Sequence, residues 1–416
     1  MNHFQRKRGE LYCEGVKLSQ IAAEVGTPAY VYSTATLRRH ARVFQRALRG
    51  LDVLCCYAVK AAGNLALLSI FREEGYGFDI VSGGELQRAL RAGANPSTIV
   101  FSGVGKRPEE LQAALQAGIL QFNCESEEEL LQLSALAVRR GVRAPVAIRV
   151  NPDVDAKTHP YIATALKSSK FGIPAARARA AYRIAARLPG LEVVGVTCHI
   201  GSQISEIKPF VQAARKVRAL YEQLLRDGHR LRHLDMGGGL GVPYGGGDKA
   251  PAAPELYGAA LSQVLAGVQA RVLLEPGRLL VANAGVLLTQ VLLQKRGAGA
   301  RRFAVVDAGM NDLLRPALYQ AFHQVETVAR PRPGSHLVDL VGPVCESADV
   351  LARRRRLPPL ETGDLLVLRT AGAYGMSMAS RYNSRPLPAE VLVDGDRLRV
   401  IRQRESIEDL LRGESC

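Results

Sequence analysis

Residues 53–93 read VLCCYAVKAAGNLALLSIFREEGYGFDIVSGGELQRALRAG. Two short apolar runs stand in this stretch, VLCCYA (53–58) and FDIV (78–81). GGELQRALRAG (83–93) follows them, with Leu and Ala at helical spacing and a closing Gly. The alternation continues outward through TIVFS (98–102), the helix-like PEELQAALQAG (108–118), ILQF (119–122), PVAIRV (145–150), VVGVTC (193–198), LRHLDM (231–236) and RVLL (271–274). Eight continuous apolar strands separated by helical stretches predict parallel βα units, because helices cover both faces of such a sheet. Eight units predict a (β/α)8 barrel. An open doubly wound sheet is the alternative that pattern alone leaves.

The rhythm changes after residue 280. GVLLTQVLLQ (285–294), RFAVVDA (302–308), HLVDLVG (336–342), DLLVLRT (364–370) and RLRVIRQ (397–403) are separated by Pro, Gly and charged turns. They predict an antiparallel β domain. The predicted division is a barrel over 30–280 and a β domain over 281–416, joined by the N-terminal segment 1–29. Within LARRRRLPPLETG (351–363), Arg353–Arg356 read as a solvated loop.

The chain has 416 residues, 47% hydrophobic and 23% charged. That balance excludes wholesale disorder and fits two or three domains. No apolar run reaches the roughly 18 residues that span a bilayer, and MNHFQRKRGE lacks the apolar stretch of a signal peptide. The seven cysteines are odd in number and scattered, without C-x-x-C. They predict a reducing, cytoplasmic setting with neither disulfides nor a metal site. The net charge of +16 raises nucleic acid or a membrane surface as partners. No recognition motif, aromatic platform or basic helix accompanies it, and Trp is absent. Neither partner is therefore expected.

In a parallel barrel, chemistry gathers at the carboxyl ends of the strands. Lys60 follows strand one and Asp79 lies in strand two. Arg149 and Asn151 end strand five, and His199 and Ser202 follow strand six. Gly237, Gly238 and Gly239 follow strand seven; Glu275 and Arg278 follow strand eight. Each has an ordinary reading alone. A strand-end lysine snorkels to solvent, a lone histidine is structural, EPGR (275–278) is a surface ion pair, and GGGLG (237–241) lacks the Walker lysine and the dinucleotide fingerprint. Together they suit a phosphorylated aldehyde. A desolvated lysine amine can form a Schiff base. Glycine turns and Ser202 can hold a phosphate. A carboxylate can hold a protonated ring nitrogen, which completes the inventory for pyridoxal 5'-phosphate.

YAVKA, HIGSQ (199–203), GGGLG, EPGR, RPALY (315–319), CESAD (345–349) and AYGMSMASRYNSRP (373–386) resemble the diaminopimelate decarboxylases, fold type III pyridoxal phosphate enzymes with a barrel and a β domain. The resemblance runs over essentially the whole chain, including FDIVSGGEL (78–86) and THPYIATALKSSKFGI (158–173). It implies decarboxylation of meso-2,6-diaminopimelate to L-lysine and CO2, the last step of lysine biosynthesis. It implies that Lys60 carries the cofactor, that His199 stacks on its ring and that Glu275 pairs with its ring nitrogen. Asp79, Ser202, Gly237–Gly239, Pro276, Gly277, Arg278 and Tyr374 would complete the cofactor site. Cys345 would reprotonate the carbanion. Cys345 and Glu346 would reach the other subunit's site, making a homodimer obligatory.

For the substrate's distal end, Arg278, Arg315 and Tyr319 could fork a carboxylate and Glu346 could meet an ammonium, with Tyr374 alongside. A polyamine-pathway decarboxylase acting on a related amine is the alternative within the class, and a catalytically silent binding relative is the alternative outside it. Ala62, Gly63 and Arg381 depart from the family pattern, and Arg381 is expected to perturb the charge near the mouth. The charge of +16 is also more basic than the family leads one to expect.

Overall fold

The computed structural model describes residues 2–155, 169–247, 250–299 and 301–416. Residues 158–168 of the THPYIATALKSSKFGI motif lie outside the described residues. The chain divides into two units. One comprises 41–242 and 250–279; the other comprises 1–40, 243–249 and 280–416.

The first unit is the predicted barrel. Its strands are Val53–Ala58, Gly77–Ile80, Ile99–Phe101, Gln121–Cys124, Ala144–Asn151, Leu191–Thr197, His233–Asp235 and Arg271–Leu274. All neighbouring pairs are parallel. The eighth strand closes on the first, with Leu273 opposite Leu54 and Leu274 opposite Cys55. Closure removes the edges an open doubly wound sheet would leave. Leu54, Cys56, Val100 and Leu273 form a buried cluster.

The helices follow their capping residues. Ser82 caps Gly83–Arg91 by accepting from the Glu85 N–H at 3.2 Å. Gly118, at φ +69°, ends Pro108–Ala117 in the left-handed conformation that glycine adopts without strain. Strand boundaries differ from expectation by a residue or two, and the fourth strand is displaced as a whole. The fourth strand runs over Gln121–Cys124 rather than ILQF (119–122). Its Gln121 and Asn123 are buried and hydrogen-bonded to each other at 2.7 Å, so the strand continues through polar residues that end the apolar run.

The second unit is a sheet ordered Val350–Leu357, His336–Val341, Arg302–Val306, Gly285–Arg296, Ala29–Ser33, Ala389–Asp394, Arg397–Arg402. Most pairings are antiparallel, as expected, but Arg302–Val306 with His336–Val341 and Ala29–Ser33 with Ala389–Asp394 are parallel. Residues 29–33 thus lie in this sheet, and the buried core joins Leu11, Ile21 and Val31 to Val286, Leu288, Val367 and Val391. Arg353–Arg356 are not a loop. They belong to the strand Val350–Leu357, anchored by buried Leu351, Ala352 and Leu357. Arginines on an outer strand guard it against edge pairing.

Asp312 is buried in this unit, accepting from the Gly309 N–H at 2.9 Å. Burial pushes its carboxyl up to about 7, with Asp307 adding to the shift. A raised carboxyl favours the folded state below the unfolded value near 4. That contribution is lost as pH rises to about 7, at ~1.4 kcal/mol per pH unit. Asp312→Asn is therefore expected to flatten the fall of stability over that window, measured by urea unfolding from pH 4 to 8. An unchanged slope would show that Asp312 is ionised in the fold.

Candidate active site

Each barrel residue named from sequence lies near or beyond a strand's carboxyl end. Lys60 stands in the single turn Val59–Ala61 directly after strand one. Its Nζ pairs with Oδ2 of Asp79, which is fully buried in strand two. The other oxygen, Oδ1, has no hydrogen-bond partner among the described residues. Beside them, burial raises Glu85 to about 7 against the opposing pull of Lys60.

Three buried carboxylates gather here: Asp79, Asp235 and Glu275. The carboxyl groups of Asp235 and Glu275 are hydrogen-bonded to one another. Burial, then Asp235 and Asp79, push Glu275 well above the usual carboxylate range. Asn123 Nδ2 donates to Asp235 at 3.1 Å, to Ser102 Oγ at 3.0 Å and to Glu275 at 3.3 Å. So much buried negative charge favours a positive group in the mouth, and one proton shared between adjacent carboxyls relieves the rest.

Asp235 also opens the glycine turn, accepting the Gly237 N–H at 2.9 Å. Gly237 and Gly239 have φ of +65° and +117°. A Cβ on Gly238 would lie 2.1 Å from the Glu275 carbonyl oxygen, and one on Gly239 2.4 Å from that of Gly201. Glycine is required at both. Just past HIGSQ, the Ile204 N–H donates to the Gly239 carbonyl at 2.9 Å. His199 Nδ1 accepts the Gly238 N–H at 3.1 Å, which places its proton on Nε2. Burial, Arg149 and Lys60 hold the imidazole well below its usual pKa, so it is neutral. Arg278 reaches Ser202 Oγ with Nη2 at 3.0 Å and Nε at 3.3 Å. Pro276 accepts the Ala58 N–H at 3.1 Å, and a Cβ on Gly277 would press on Ala58 and Ala61.

These residues fit pyridoxal phosphate. An amine faces a carboxylate with an unused buried oxygen, a second carboxylate cluster calls for a cation, and a turn closed to side chains adjoins a hydroxyl and a guanidinium.

The sheet unit carries the remaining candidates. Arg315 is buried on the short helix Arg315–Tyr319, its guanidinium over the Tyr244 ring at 4.4 Å and bonded to His323 Nε2 at 3.0 Å. His323 Nδ1 faces the Arg369 carbonyl at 2.8 Å and so must donate, leaving Nε2 to accept from Arg315. Tyr319 closes that helix, half-buried. Cys345 and Glu346 are exposed on one loop. Buried Asp349 ties the loop down, accepting from Val344 and Met310 N–H at 2.7 Å each. Asn383 accepts the Cys345 N–H at 2.8 Å, and Tyr382 Oη donates to Glu346 at 2.7 Å. Tyr374 is half-buried at φ +55°, a strained conformation for tyrosine. Arg381 forks onto Glu405 at 2.6 and 3.0 Å, so its charge is locally balanced.

Sequence reasoning missed Asp235, Asn123 and Ser102. Asp235 sits inside LRHLDM and Ser102 ends TIVFS; polar residues at the carboxyl ends of apolar strands were the available signal.

Residues 34–282 match the pyridoxal-binding domain of the pyridoxal-dependent decarboxylases. Over its full length the chain is 50% identical to the diaminopimelate decarboxylase of Pseudomonas aeruginosa, covering 99% of it. The crystal structure of diaminopimelate decarboxylase from Helicobacter pylori, complexed with L-lysine, superposes with a TM-score of 0.91 at 42% identity, over 95% of this chain and 98% of that one. The M. jannaschii enzyme, also with L-lysine, gives 0.95 at 35% identity over 100% and 99%. With a barrel mouth fit for pyridoxal phosphate and half its residues shared end to end with such a relative, the chain belongs to the diaminopimelate decarboxylase family of pyridoxal-dependent decarboxylases.

Proposed function

We propose that the chain converts meso-2,6-diaminopimelate to L-lysine and CO2, and that its site joins the barrel of one subunit to the Cys345–Glu346 loop of another. The observation that carries this reading is that the sequence has RPALY and CES as well as the barrel's lysine and carboxylates, in a chain half-identical to diaminopimelate decarboxylases throughout. When bound, pyridoxal phosphate draws electrons from the substrate's α-carbon so that its carboxylate can leave as CO2. Lys60 would hold the aldehyde, His199 the ring face and Glu275 the ring nitrogen. Gly237–Gly239, Ser202, Pro276, Gly277 and Arg278 would surround the phosphate, and Tyr374 would close the site.

The protein's own groups divide the remaining work. Asp79 keeps the Lys60 amine in place. Asp235 orients Glu275 and fixes the glycine turn through one carboxylate. Cys345 Sγ gives the proton that replaces CO2 on the α-carbon. Arg278, Arg315 and Tyr319 hold the distal carboxylate, and Glu346 the distal ammonium. The exposure of Cys345 and Glu346 on a firmly tied loop supports a role toward a partner subunit, hence a homodimer. In this reading the barrel of 30–280 is the cofactor domain, and 281–416 with 1–29 form the β domain. No helix among the described residues is long and apolar enough to cross a membrane, and the seven cysteines are free. The free thiols fit the cytoplasmic biosynthetic enzyme proposed here.

An absorbance spectrum of the purified protein, followed by assay of CO2 and lysine from meso-diaminopimelate, tests the proposal. A visible cofactor band and equal amounts of the two products are expected; no band and no CO2 would refute it.

Glu346→Gln keeps the hydrogen bond from Tyr382 while removing the charge. It is expected to lower kcat/KM for meso-diaminopimelate roughly 30-fold or more, by leaving the distal ammonium unpaired. Steady-state kinetics check this. An unchanged value would mean that Glu346 does not meet the substrate.

A further inference from the structure

The sheet unit holds a concavity of about 330 Å³, lined by Arg301, Arg302, Leu337, Asp339 and Arg354. Its arginines come from around two strands and their flanks, Arg302–Val306 and Val350–Leu357, with His336–Val341 between them. One carboxylate lines it, and that one is already engaged. Buried Asp339 accepts from Arg301 Nε at 3.0 Å through Oδ2 and from the Arg354 N–H at 2.6 Å through Oδ1. Three arginines and one aspartate line the concavity, a formal excess of two positive charges.

Two backbone features work against the sheet's own stability here. Arg354 is held at φ +48°, within an irregularity of the pairing between Val338 and Leu340. Such bulges re-aim a side chain, and left-handed conformations outside glycine persist where the surroundings enforce them. Arg302 also stands directly across from Arg296 in the antiparallel register. Like charges directly opposed destabilise a strand pair unless something neutralises them.

We propose that this concavity binds a small phosphate-bearing anion, of nucleotide size or less, at a site separate from the catalytic residues. The excess charge matches a phosphate dianion. Arginines from two strands flanking a third supply more donors than the two oxygens of Asp339 can take, and a phosphate presents three. Leu337, 41% exposed, offers an apolar contact beside the charges. The volume lies at the lower end for small-molecule sites, which favours a compact ligand. A site of this kind also gives part of the unusual basic charge a use.

The test is calorimetric titration of the holoenzyme, in which the cofactor's own phosphate fills the glycine turn. The probes are inorganic pyrophosphate, adenosine monophosphate and a 20-nucleotide single-stranded oligonucleotide, in phosphate-free buffer of low ionic strength. Pyrophosphate or the mononucleotide is expected to bind one per chain. Arg302→Gln and Arg354→Gln are each expected to weaken that binding about tenfold or more, with the cofactor spectrum unchanged. No binding, or binding equally strong in both variants, would overturn the proposal. Binding of the oligonucleotide alone would replace it with a polymer-binding surface. A change of oligomeric state in the variants, with no anion binding by the wild type, would make the concavity a contact between copies.

Discussion

Lys60→Ala is expected to abolish the visible absorbance of lysine-linked cofactor and to lower turnover on the order of 10,000-fold or more. The expectation rests on position. Lys60 follows strand one with its amine against buried Asp79, whose second oxygen is unused, and neutral His199 and the acidic cluster of Asp235 and Glu275 lie at the same barrel mouth. Alanine would also leave Asp79 buried without its cation, so lost activity alone could reflect a damaged fold. Lys60→Arg separates the two effects. Its guanidinium can still pair with Asp79 but stays protonated, so it cannot form a Schiff base. The arginine variant is expected to fold with near-normal stability and to be equally inactive. Normal rates or a retained lysine-linked spectrum in either variant would remove Lys60 from its role.

Cys345→Ala is expected to be inactive as well, and its rescue distinguishes whose site it serves. The loop's backbone is held by Asp349 and Asn383, so removing the thiol should leave the loop in place. If Cys345 reaches a partner subunit, mixing Cys345→Ala with Lys60→Ala chains creates heterodimers with one intact site of two. Random pairing puts about half of the dimers in that class, so about a quarter of wild-type CO2 release should return. No recovery after demonstrated subunit exchange would mean that Cys345 serves its own chain or is not the acid.

The barrel was legible because strands buried on both faces write themselves as continuous apolar runs, as VLCCYA and VVGVTC do. The limits of that signal appear where the barrel interior turns polar. Gln121, Asn123 and Asp235 satisfy one another inside it, which shifted the fourth strand and concealed the partner of Glu275. Ala29–Ser33 pairs with Gly285–Arg296 and Ala389–Asp394, hundreds of residues away, and no local pattern announces such a partner. Arg353–Arg356 read as a loop because charge dominates composition, whereas buried Leu351 and Leu357 fix the segment as a strand. The catalytic candidates were legible as a set, through their recurrence at strand ends and through long motifs. The lowered basicity of buried His199 and the raised carboxyl of Glu275 beside Asp235 needed three dimensions.

Substrate choice bears most directly on the function assigned to this chain. Holoenzyme should be given meso-diaminopimelate, L-lysine and L-ornithine separately, with CO2 release followed to kcat/KM for each. If Arg278, Arg315 and Tyr319 hold a distal carboxylate and Glu346 a distal ammonium, meso-diaminopimelate should be favoured on the order of 1,000-fold or more, because the other two lack that carboxylate. Comparable or faster release from ornithine or lysine would contradict the assignment and place the chain among decarboxylases that make diamines.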